Sequence, residues 1–117
     1  MKHVLIVDDN KSDRFLIGAF VQKQGHVVHD IADGVHVSDT LNKFRPDLVI
    51  LDLYMPIKEG IETLKELQET APEIPVIVMS CDGDIYRDQL LSLGARYCIQ
   101  KPFEATEFNN IISEILK

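Results

Sequence analysis

Residues 48–52 read LVILD, an unbroken apolar run that ends at the carboxylate of Asp52. Three other apolar runs have the same form, and each leads to a charged or hydroxyl side chain. They are residues 4–7 before Asp8 and Asp9, residues 76–79 before Ser80, and residues 97–99 just before Lys101. Short runs that are apolar throughout are typical of strands buried on both faces of a parallel sheet. The sequence therefore predicts a parallel sheet with polar residues at the ends of its strands.

Helix-like stretches separate these strands. Residues 11–24 carry apolar side chains at helical spacing, namely Phe15, Leu16, Ala19 and Phe20. We expect a further strand at Val27–Ile31 and further helices at Gly34–Phe44, around Ile61, Leu64 and Leu67, at residues 84–93, and at Phe108–Ile115. The resulting order βαβαβαβαβα predicts an α/β fold. A length of 117 residues allows one domain with a real core, residues 1–117.

The composition limits the partners of this domain. Twelve basic against 19 acidic residues give a formal net charge of -7. This charge argues against nucleic-acid or acidic-membrane binding, because both need a basic face. No apolar run approaches the roughly 20 residues of a membrane span, and Met1 leads into the first strand without a signal peptide. We expect a soluble, cytoplasmic protein whose two cysteines are reduced.

The polar strand ends are expected to meet, because ligands of open α/β sheets bind beyond the carboxyl ends of the strands. Any single one has a simpler explanation, such as a helix cap for Asp9 or a solvated charge for Lys101. Three carboxylates in one pocket, however, repel each other unless a cation binds them, and oxygen ligands suit Mg²⁺. Asp52 is then the candidate nucleophile for phosphoryl transfer, and Ser80 and Lys101 are the candidate phosphate contacts. A dinucleotide site is disfavoured, because no glycine-rich turn follows the first strand.

These residues, in this order and spacing, resemble the receiver domain of two-component response regulators over essentially the whole chain. The positions that carry the resemblance are Asp8-Asp9, Asp52-Leu53-Tyr54-Met55-Pro56, Gly60, Ser80, Gly94-Ala95 and Lys101-Pro102-Phe103. The resemblance implies a flavodoxin-like fold, a (βα)5 three-layer sandwich with strand order 2-1-3-4-5. It also implies a phosphorylation-dependent signalling switch rather than a turnover enzyme. Such a switch acts alone or as the N-terminal part of a longer regulator, and it alters partner binding.

The resemblance also assigns roles to individual residues. Asp52 is the implied phosphoacceptor, and a histidine kinase or a histidine phosphotransfer domain is the implied donor. Asp9, Asp52 and the backbone carbonyl of Tyr54 are the implied ligands of Mg²⁺ (or Mn²⁺), with Asp8 acting through water. The Lys101–Pro102 peptide is expected to be cis, a geometry that costs little before proline.

The fifth strand departs from the pattern of similar domains. Cys98 lies three residues before Lys101, where similar domains usually place a Tyr or Phe whose rotation accompanies activation. Tyr97 is the neighbouring aromatic residue. Adjacent residues of a strand face opposite sides of the sheet, so Tyr97 does not simply replace the missing aromatic. Either the signal is transmitted differently here, or a strand irregularity repositions Tyr97.

Residues beside the site are expected to modulate it. Tyr54 and Asp82 lie two residues beyond Asp52 and Ser80, and in similar domains these positions flank the path of the hydrolytic water. A bulky Tyr54 and a charged Asp82 are therefore expected to change the lifetime of the phosphoryl group. Cys81 and Cys98 are interpreted as buried structural thiols rather than a redox pair.

Two other functions stay open. A phosphatase with an aspartyl nucleophile would carry Asp-x-Asp after the first strand, and Asp8-Asp9-Asn10 does not fit that pattern. An interaction module that signals without phosphate is favoured by Cys98 and disfavoured by the complete set of site residues. Similar receivers often dimerise or dock targets through the fourth helix, fifth strand and fifth helix, so that surface is a candidate contact. The histidines share no ligand spacing and are interpreted as surface or core residues; they are His3, His26, His29 and His36.

Overall fold

The computed structural model describes residues 1–53, 57–80 and 85–117, with the backbone alone for residues 57–59. Within these ranges, five strands and five α-helices alternate along the chain. The strands are β1 (His3–Val7), β2 (Val27–Ile31), β3 (Leu48–Asp52), β4 (Val76–Ser80) and β5 (Tyr97–Gln100). The helices are α1 (Lys11–Lys23), α2 (Val37–Lys43), α3 (Ile57–Thr70), α4 (Arg87–Ser92) and α5 (Ala105–Ile115).

The strands form one parallel sheet in the order β2-β1-β3-β4-β5. This order confirms the predicted α/β, flavodoxin-like fold. Strands β3 and β4 are buried at every residue, as their unbroken apolar runs predicted. Strand β2 lies at an edge and is mostly half-buried. The polar residues Asp52 and Ser80 are the last residues of β3 and β4, so the sheet carries them to its carboxyl edge.

Helices cover both faces of the sheet, because alternate strand residues pack into two separate cores. The first core includes Leu5, Val37, Leu64 and Leu90, and the second includes Ile6, Ile17, Phe108 and Ile112. Helices α2, α3 and α4 therefore lie on one face, and α1 and α5 lie on the other. This arrangement confirms the three layers of the predicted sandwich.

Two helices begin later than the sequence predicted. The stretch predicted as one helix over Gly34–Phe44 opens with a 3-10 turn, Gly34–His36, before α2 begins. The side chain of Asp33 accepts a hydrogen bond from the backbone N–H of His36 and so closes a tight turn ahead of the helix. The helix predicted over residues 84–93 is α4, Arg87–Ser92.

Helix α1 buries a different face from the one that its most apolar residues mark. Its buried residues are Ile17, Gly18 and Val21. Phe15 is 74% exposed and Leu16 is 49% exposed. The helical spacing of the apolar residues correctly predicted a helix, but the core takes Ile17, Gly18 and Val21, with Phe20 partly buried beside them, and leaves Phe15 and Leu16 outside.

Two glycines end helices in the left-handed region, where a side chain would be strained. Gly25 follows α1 with φ +90°, and Gly94 follows α4 with φ +105°. Both positions agree with the predicted helix ends. Among the described residues, no helix is both long enough and apolar enough to cross a membrane.

Candidate functional site

Three carboxylates lie together where β1 and β3 end. These strands are neighbours with Val7 paired to Leu51, so the residues that follow, Asp8 and Asp52, come side by side. Carboxylate oxygens of Asp8, Asp9 and Asp52 lie within 4.8 Å of one another. We call this group the acid pocket. The side chains of Asp8 and Asp52 are each 1% exposed, whereas Asp9 is exposed, so the pocket opens toward solvent at Asp9.

The ammonium group of Lys101 balances this negative charge. Its Nζ lies 2.9 Å from Oδ2 of Asp8, 2.9 Å from Oδ2 of Asp13 and 3.1 Å from Oδ1 of Asp52. Burial lowers the pKa of Lys101, but the hydrogen bonds to Asp8 and Asp13 and the charge of Asp52 outweigh it and hold the pKa well above its ordinary value. The lysine is therefore a permanent cation in the site. The Lys101–Pro102 peptide is cis, as expected.

Asp13 is a site residue that the sequence reasoning missed. It lies in the first turn of α1, where the spacing Asn10-x-x-Asp13 is typical of a helix cap. Asn10 does cap the helix, because its Oδ1 accepts a hydrogen bond from the backbone N–H of Asp13. The Asp13 carboxylate, however, turns to Lys101. In such a cap, Asp13 would accept a hydrogen bond from the backbone N–H of Asn10. Here Oδ1 of Asp8 accepts that hydrogen bond instead, at 2.8 Å.

Ser80 borders the site from the neighbouring strand. It ends β4, is 6% exposed, and pairs with Gln100 of β5. The backbone N–H of Lys101 donates a 2.8 Å hydrogen bond to the carbonyl of Ser80, which fixes the lysine relative to β4. The structure therefore gathers Asp8, Asp9, Asp52 and Lys101 and places Ser80 at the adjoining strand end.

The donor set fits a hard divalent cation. Carboxylate oxygens are the ligands that Mg²⁺ prefers, and Mg²⁺ typically binds through one or two carboxylates with water in the remaining positions. Asp9 is exposed and gives such an ion access, while the buried Asp8 and Asp52 supply charge. The acid pocket could therefore hold a metal ion. Tyr54, which was expected to add a backbone carbonyl, lies outside the described residues, as do Asp82 and Cys81.

Comparisons with known proteins agree with this geometry. Residues 4–113 match the response regulator receiver domain family. The chain belongs to this family. It is 35% identical over 114 residues to sporulation initiation phosphotransferase F of Bacillus subtilis (strain 168), and the alignment covers 97% of this chain and 92% of that protein. It is also 29% identical over 116 residues to chemotaxis protein CheY of Halobacterium salinarum, which covers 98% of this chain and 97% of that protein.

Solved structures show the same relationship. The crystal structure of the receiver domain of NtrX from Brucella abortus matches with a TM-score of 0.89 at 28% identity, covering 97% of each chain. Receiver domains are phosphorylation-dependent switches of two-component signalling, and they bind Mg²⁺ at an acidic pocket. The family, the fold and the class of function predicted from the sequence are therefore confirmed.

The fifth strand of this receiver domain presents Cys98 and Tyr97 to opposite faces. Cys98 packs against the core under α3 and α4, and Tyr97 packs against the core under α1 and α5. Arg87 of α4 donates a 3.3 Å hydrogen bond to the carbonyl of Cys98. Burial raises the pKa of the Cys98 thiol and outweighs the opposing charge of Arg87, so the thiol stays protonated near neutral pH. The register of β5 is regular, so no strand irregularity turns Tyr97 toward the face of Cys98.

A cavity of about 260 Å³ opens beside Cys98. Its lining includes Ser80 from the site, Arg87 and Leu90 from α4, and Glu107 from α5. The cavity therefore borders both the end of β4 and the helices α4 and α5. Similar domains usually carry a larger, aromatic side chain at the position of Cys98.

Two of the four histidines come together, which their sequence spacing did not predict. Nδ1 of His3 and Nε2 of His29 lie 3.1 Å apart on the neighbouring strands β1 and β2. The ring of His29 also contacts Phe44, with centroids 4.2 Å apart. His36 is instead exposed and pairs with Asp33. The rings of His3, His29 and Phe44 form a cluster at the end of α2, and this cluster stabilises the edge of the sheet.

Proposed function

We propose that this receiver domain accepts a phosphoryl group on Asp52 from a phosphohistidine of a histidine kinase or histidine phosphotransfer domain. One observation carries the proposal: a buried carboxylate, Asp52, lies 3.1 Å from the ammonium of Lys101 and within a cluster of two further carboxylates. A nucleophile held between a fixed cation and a candidate metal pocket suits phosphoryl transfer, which depends on positioning and charge neutralisation.

The residues divide the reaction between them. An oxygen of Asp52 attacks the phosphorus, the P–N bond of the phosphohistidine breaks, and the imidazole leaves with the electron pair of that bond. The product on this chain is an acyl phosphate. Lys101 neutralises negative charge on the transferred group, and the hydroxyl of Ser80 donates a hydrogen bond to one of its oxygens. The hydroxyl and the ammonium therefore both sense whether Asp52 carries phosphate.

The acid pocket would hold the metal ion that this chemistry needs. Asp9 and Asp52 would bind Mg²⁺ (or Mn²⁺) directly with the backbone carbonyl of Tyr54, and Asp8 would act through water. When bound, the ion supplies positive charge against the phosphoryl oxygens. The proximity of the three carboxylate groups and the exposure of Asp9 support this assignment.

The output of the domain would be altered binding to a partner rather than turnover of a substrate. Phosphorylation changes the balance between two conformations, and a partner binds one of them better. We place the candidate contact on α4, β5 and α5, because the cavity beside Cys98 links Ser80 to these elements. The proposal covers residues 1–117 as a single domain that works in the cytoplasm, with a protein partner or output domain, and without direct contact to nucleic acid or membrane. Its net charge of -7 supports the last point.

Labelling with a small acyl phosphate tests the proposal without a cognate kinase. The protein is incubated with Mg²⁺ and the donor, and its intact mass is measured before and after. We expect the gain of one phosphoryl group, dependent on Mg²⁺ and absent from Asp52→Asn. Asp47→Asn is the matched control, because Asp47 lies outside the acid pocket and its carboxylate accepts a hydrogen bond from the backbone N–H of His3.

Each other result has a separate meaning. No labelling of the wild-type chain under any metal condition would favour an interaction module that signals without phosphate. Steady release of phosphate from unrelated phosphate esters would favour a phosphatase. Labelling that survives Asp52→Asn would move the phosphoacceptor to another residue.

A further inference from the structure

Lys101 binds one carboxylate that is not part of the acid pocket. Its Nζ lies 2.9 Å from Oδ2 of Asp13, whereas its other two partners, Asp8 and Asp52, belong to the pocket. The side chain of Asp13 is 38% exposed, against 1% for Asp8. The ammonium therefore bridges the buried pocket and the mouth of the site.

The local structure of α1 leaves Asp13 available for this contact. An acid three residues after a helix cap commonly accepts a hydrogen bond from the backbone N–H of the cap residue. Here Asp8 accepts that hydrogen bond from Asn10, so the helix end is satisfied without the Asp13 carboxylate. The same hydrogen bond fixes Asp8 inside the pocket. The cap of α1 and the charge arrangement of the site are thus one network.

A divalent cation in the acid pocket competes with Lys101 for the same oxygens. An ammonium group has three N–H donors, and in this structure three carboxylates lie within reach of them, from Asp8, Asp13 and Asp52. A cation that binds Asp52 directly and Asp8 through water reduces the hold of both carboxylates on the lysine. Asp13 alone of the three partners lies outside the competition, so it can retain the ammonium while the pocket binds metal.

We propose that Asp13 is a positioning residue that holds the ammonium of Lys101 between the acid pocket and the mouth of the site. It lowers the cost of metal entry, because the lysine keeps a charged partner when the pocket carboxylates turn to the cation. It also keeps the ammonium beside Asp52, where the phosphoryl group would arrive. The second consequence rests on the function proposed above, whereas the first concerns cation binding alone.

Titration with Mg²⁺, followed by calorimetry or by backbone amide shifts, tests the first consequence. Asp13→Asn keeps the shape of the side chain and removes its charge. We expect its dissociation constant for Mg²⁺ to rise roughly fivefold, the size expected for a partly exposed ion pair. Asp13→Glu, which restores the charge, should recover most of the affinity. Asp39→Asn on α2 removes the same charge from an exposed position and should change the affinity little.

A double-mutant cycle shows whether Asp13 acts through the lysine. In a Lys101→Met background, Asp13→Asn should weaken Mg²⁺ binding no more than Asp39→Asn does. Equal Mg²⁺ affinity of Asp13→Asn and the wild type would overturn the proposal. So would a full effect of Asp13→Asn without Lys101, since that result would mean a direct field of the carboxylate on the ion.

The two proposals fail in different experiments. Mg²⁺ titration needs no phosphoryl transfer. Weaker Mg²⁺ binding by Asp13→Asn, together with no labelling of the wild type, would reject the proposed function and keep the role of Asp13. Labelling of the wild type, together with equal Mg²⁺ affinity of Asp13→Asn and the wild type, would keep the proposed function and reject the role of Asp13. If both hold, Asp13→Asn should raise the Mg²⁺ concentration needed for half-maximal labelling, and it should also lower the labelling rate at saturating Mg²⁺, because the ammonium is no longer held beside Asp52.

Discussion

The acid pocket lies at the ends of β1 and β3, and the cavity beside Cys98 lies next to β4 and β5. The two regions differ in how completely they are filled. At the pocket, Lys101 lies within 3.1 Å of two of its carboxylates, Asp8 and Asp52, and of the neighbouring Asp13. On the other side, β5 and α4 enclose about 260 Å³ beside a half-buried thiol. The acid pocket is thus tightly arranged, while the α4 side of β5 is loosely packed.

This difference separates two tasks that a receiver domain performs. Charge neutralisation needs short, fixed distances, because electrostatic energy falls as charges separate and as water enters between them. Transmission needs an element with two arrangements, and a cavity next to Ser80 gives neighbouring side chains room to move. Cys98 borders the cavity and lies outside the acid pocket, so we expect substitutions at this position to affect transmission more than the chemistry at Asp52.

Removing the lysine should affect stability as strongly as truncating a core residue. Lys101→Met leaves the buried carboxylates of Asp8 and Asp52 without their cation, and we expect a loss of ~3 kcal/mol in the free energy of unfolding without Mg²⁺. Because the folded state raises the pKa of Lys101, its contribution is complete below the ordinary lysine pKa and fades only as pH rises through the folded value. Urea denaturation at neutral pH therefore measures the whole effect.

A surface ion pair gives the matched control for this change. Arg45 and Glu73 are 3.4 Å apart with both side chains more than half exposed, so Arg45→Gln should cost below ~0.5 kcal/mol. A loss for Lys101→Met as small as that of the control would mean that the acid pocket is already balanced by solvent. Added Mg²⁺ should reduce the difference in stability between Lys101→Met and the wild type, and it should leave the difference between Arg45→Gln and the wild type unchanged.

Truncation of adjacent residues of β5 compares the packing of its two faces. Ile99 is 3% exposed and packs in the core with Phe108, so Ile99→Ala should cost ~3 kcal/mol. Cys98 is half-buried and already borders the cavity, so Cys98→Ala should cost below ~1 kcal/mol. Chemical denaturation of the two variants measures both values. Equal losses would contradict the description of the α4 side as loosely packed.

The smallest expected effect concerns the cap of α5. Hydrogen bonds from the backbone N–H groups of Thr106 and Glu107 lower the pKa of Glu104 below its ordinary value of 4.5. A lowered pKa stabilises the fold above the unfolded value, and this contribution is lost as pH falls through the folded value. Glu104→Gln should therefore lower the melting temperature at neutral pH, and the difference from wild type should vanish in acid. The control Glu114→Gln, on the exposed face of α5, should show no such pH-dependent difference.

Much of the fold followed from local sequence patterns. The run at residues 48–52 predicted a central buried strand because a strand covered on both faces needs apolar side chains at every position. The polar residues after the strands predicted the site, because parallel strands end at the same edge of a sheet. Asp8, Asp52 and Lys101 meet for this reason, although 93 residues separate the first from the last.

The features that the sequence did not predict depend on tertiary contacts. Asp13 resembles part of a helix cap, and its pairing with Lys101 becomes visible only when Asp8 takes over the bond to Asn10. The stripe of α1 that contains Phe15 has the right period for a buried face, yet the sheet contacts the smaller side chains of Ile17 and Gly18 instead. Periodicity gives the type of an element, whereas the face it buries depends on how closely it must approach its neighbours.

Chemical trapping of the phosphorylated residue tests the central claim most directly. The chain is labelled with a phosphohistidine donor and Mg²⁺, reduced with borohydride, which converts an aspartyl phosphate into homoserine, and digested for sequencing by mass spectrometry. We predict homoserine at position 52 alone, in an amount that matches the phosphoryl gain of the intact protein. Homoserine at Asp8 or Asp9, or phosphoryl gain without any reduced aspartate, would contradict the assignment of Asp52 as the phosphoacceptor.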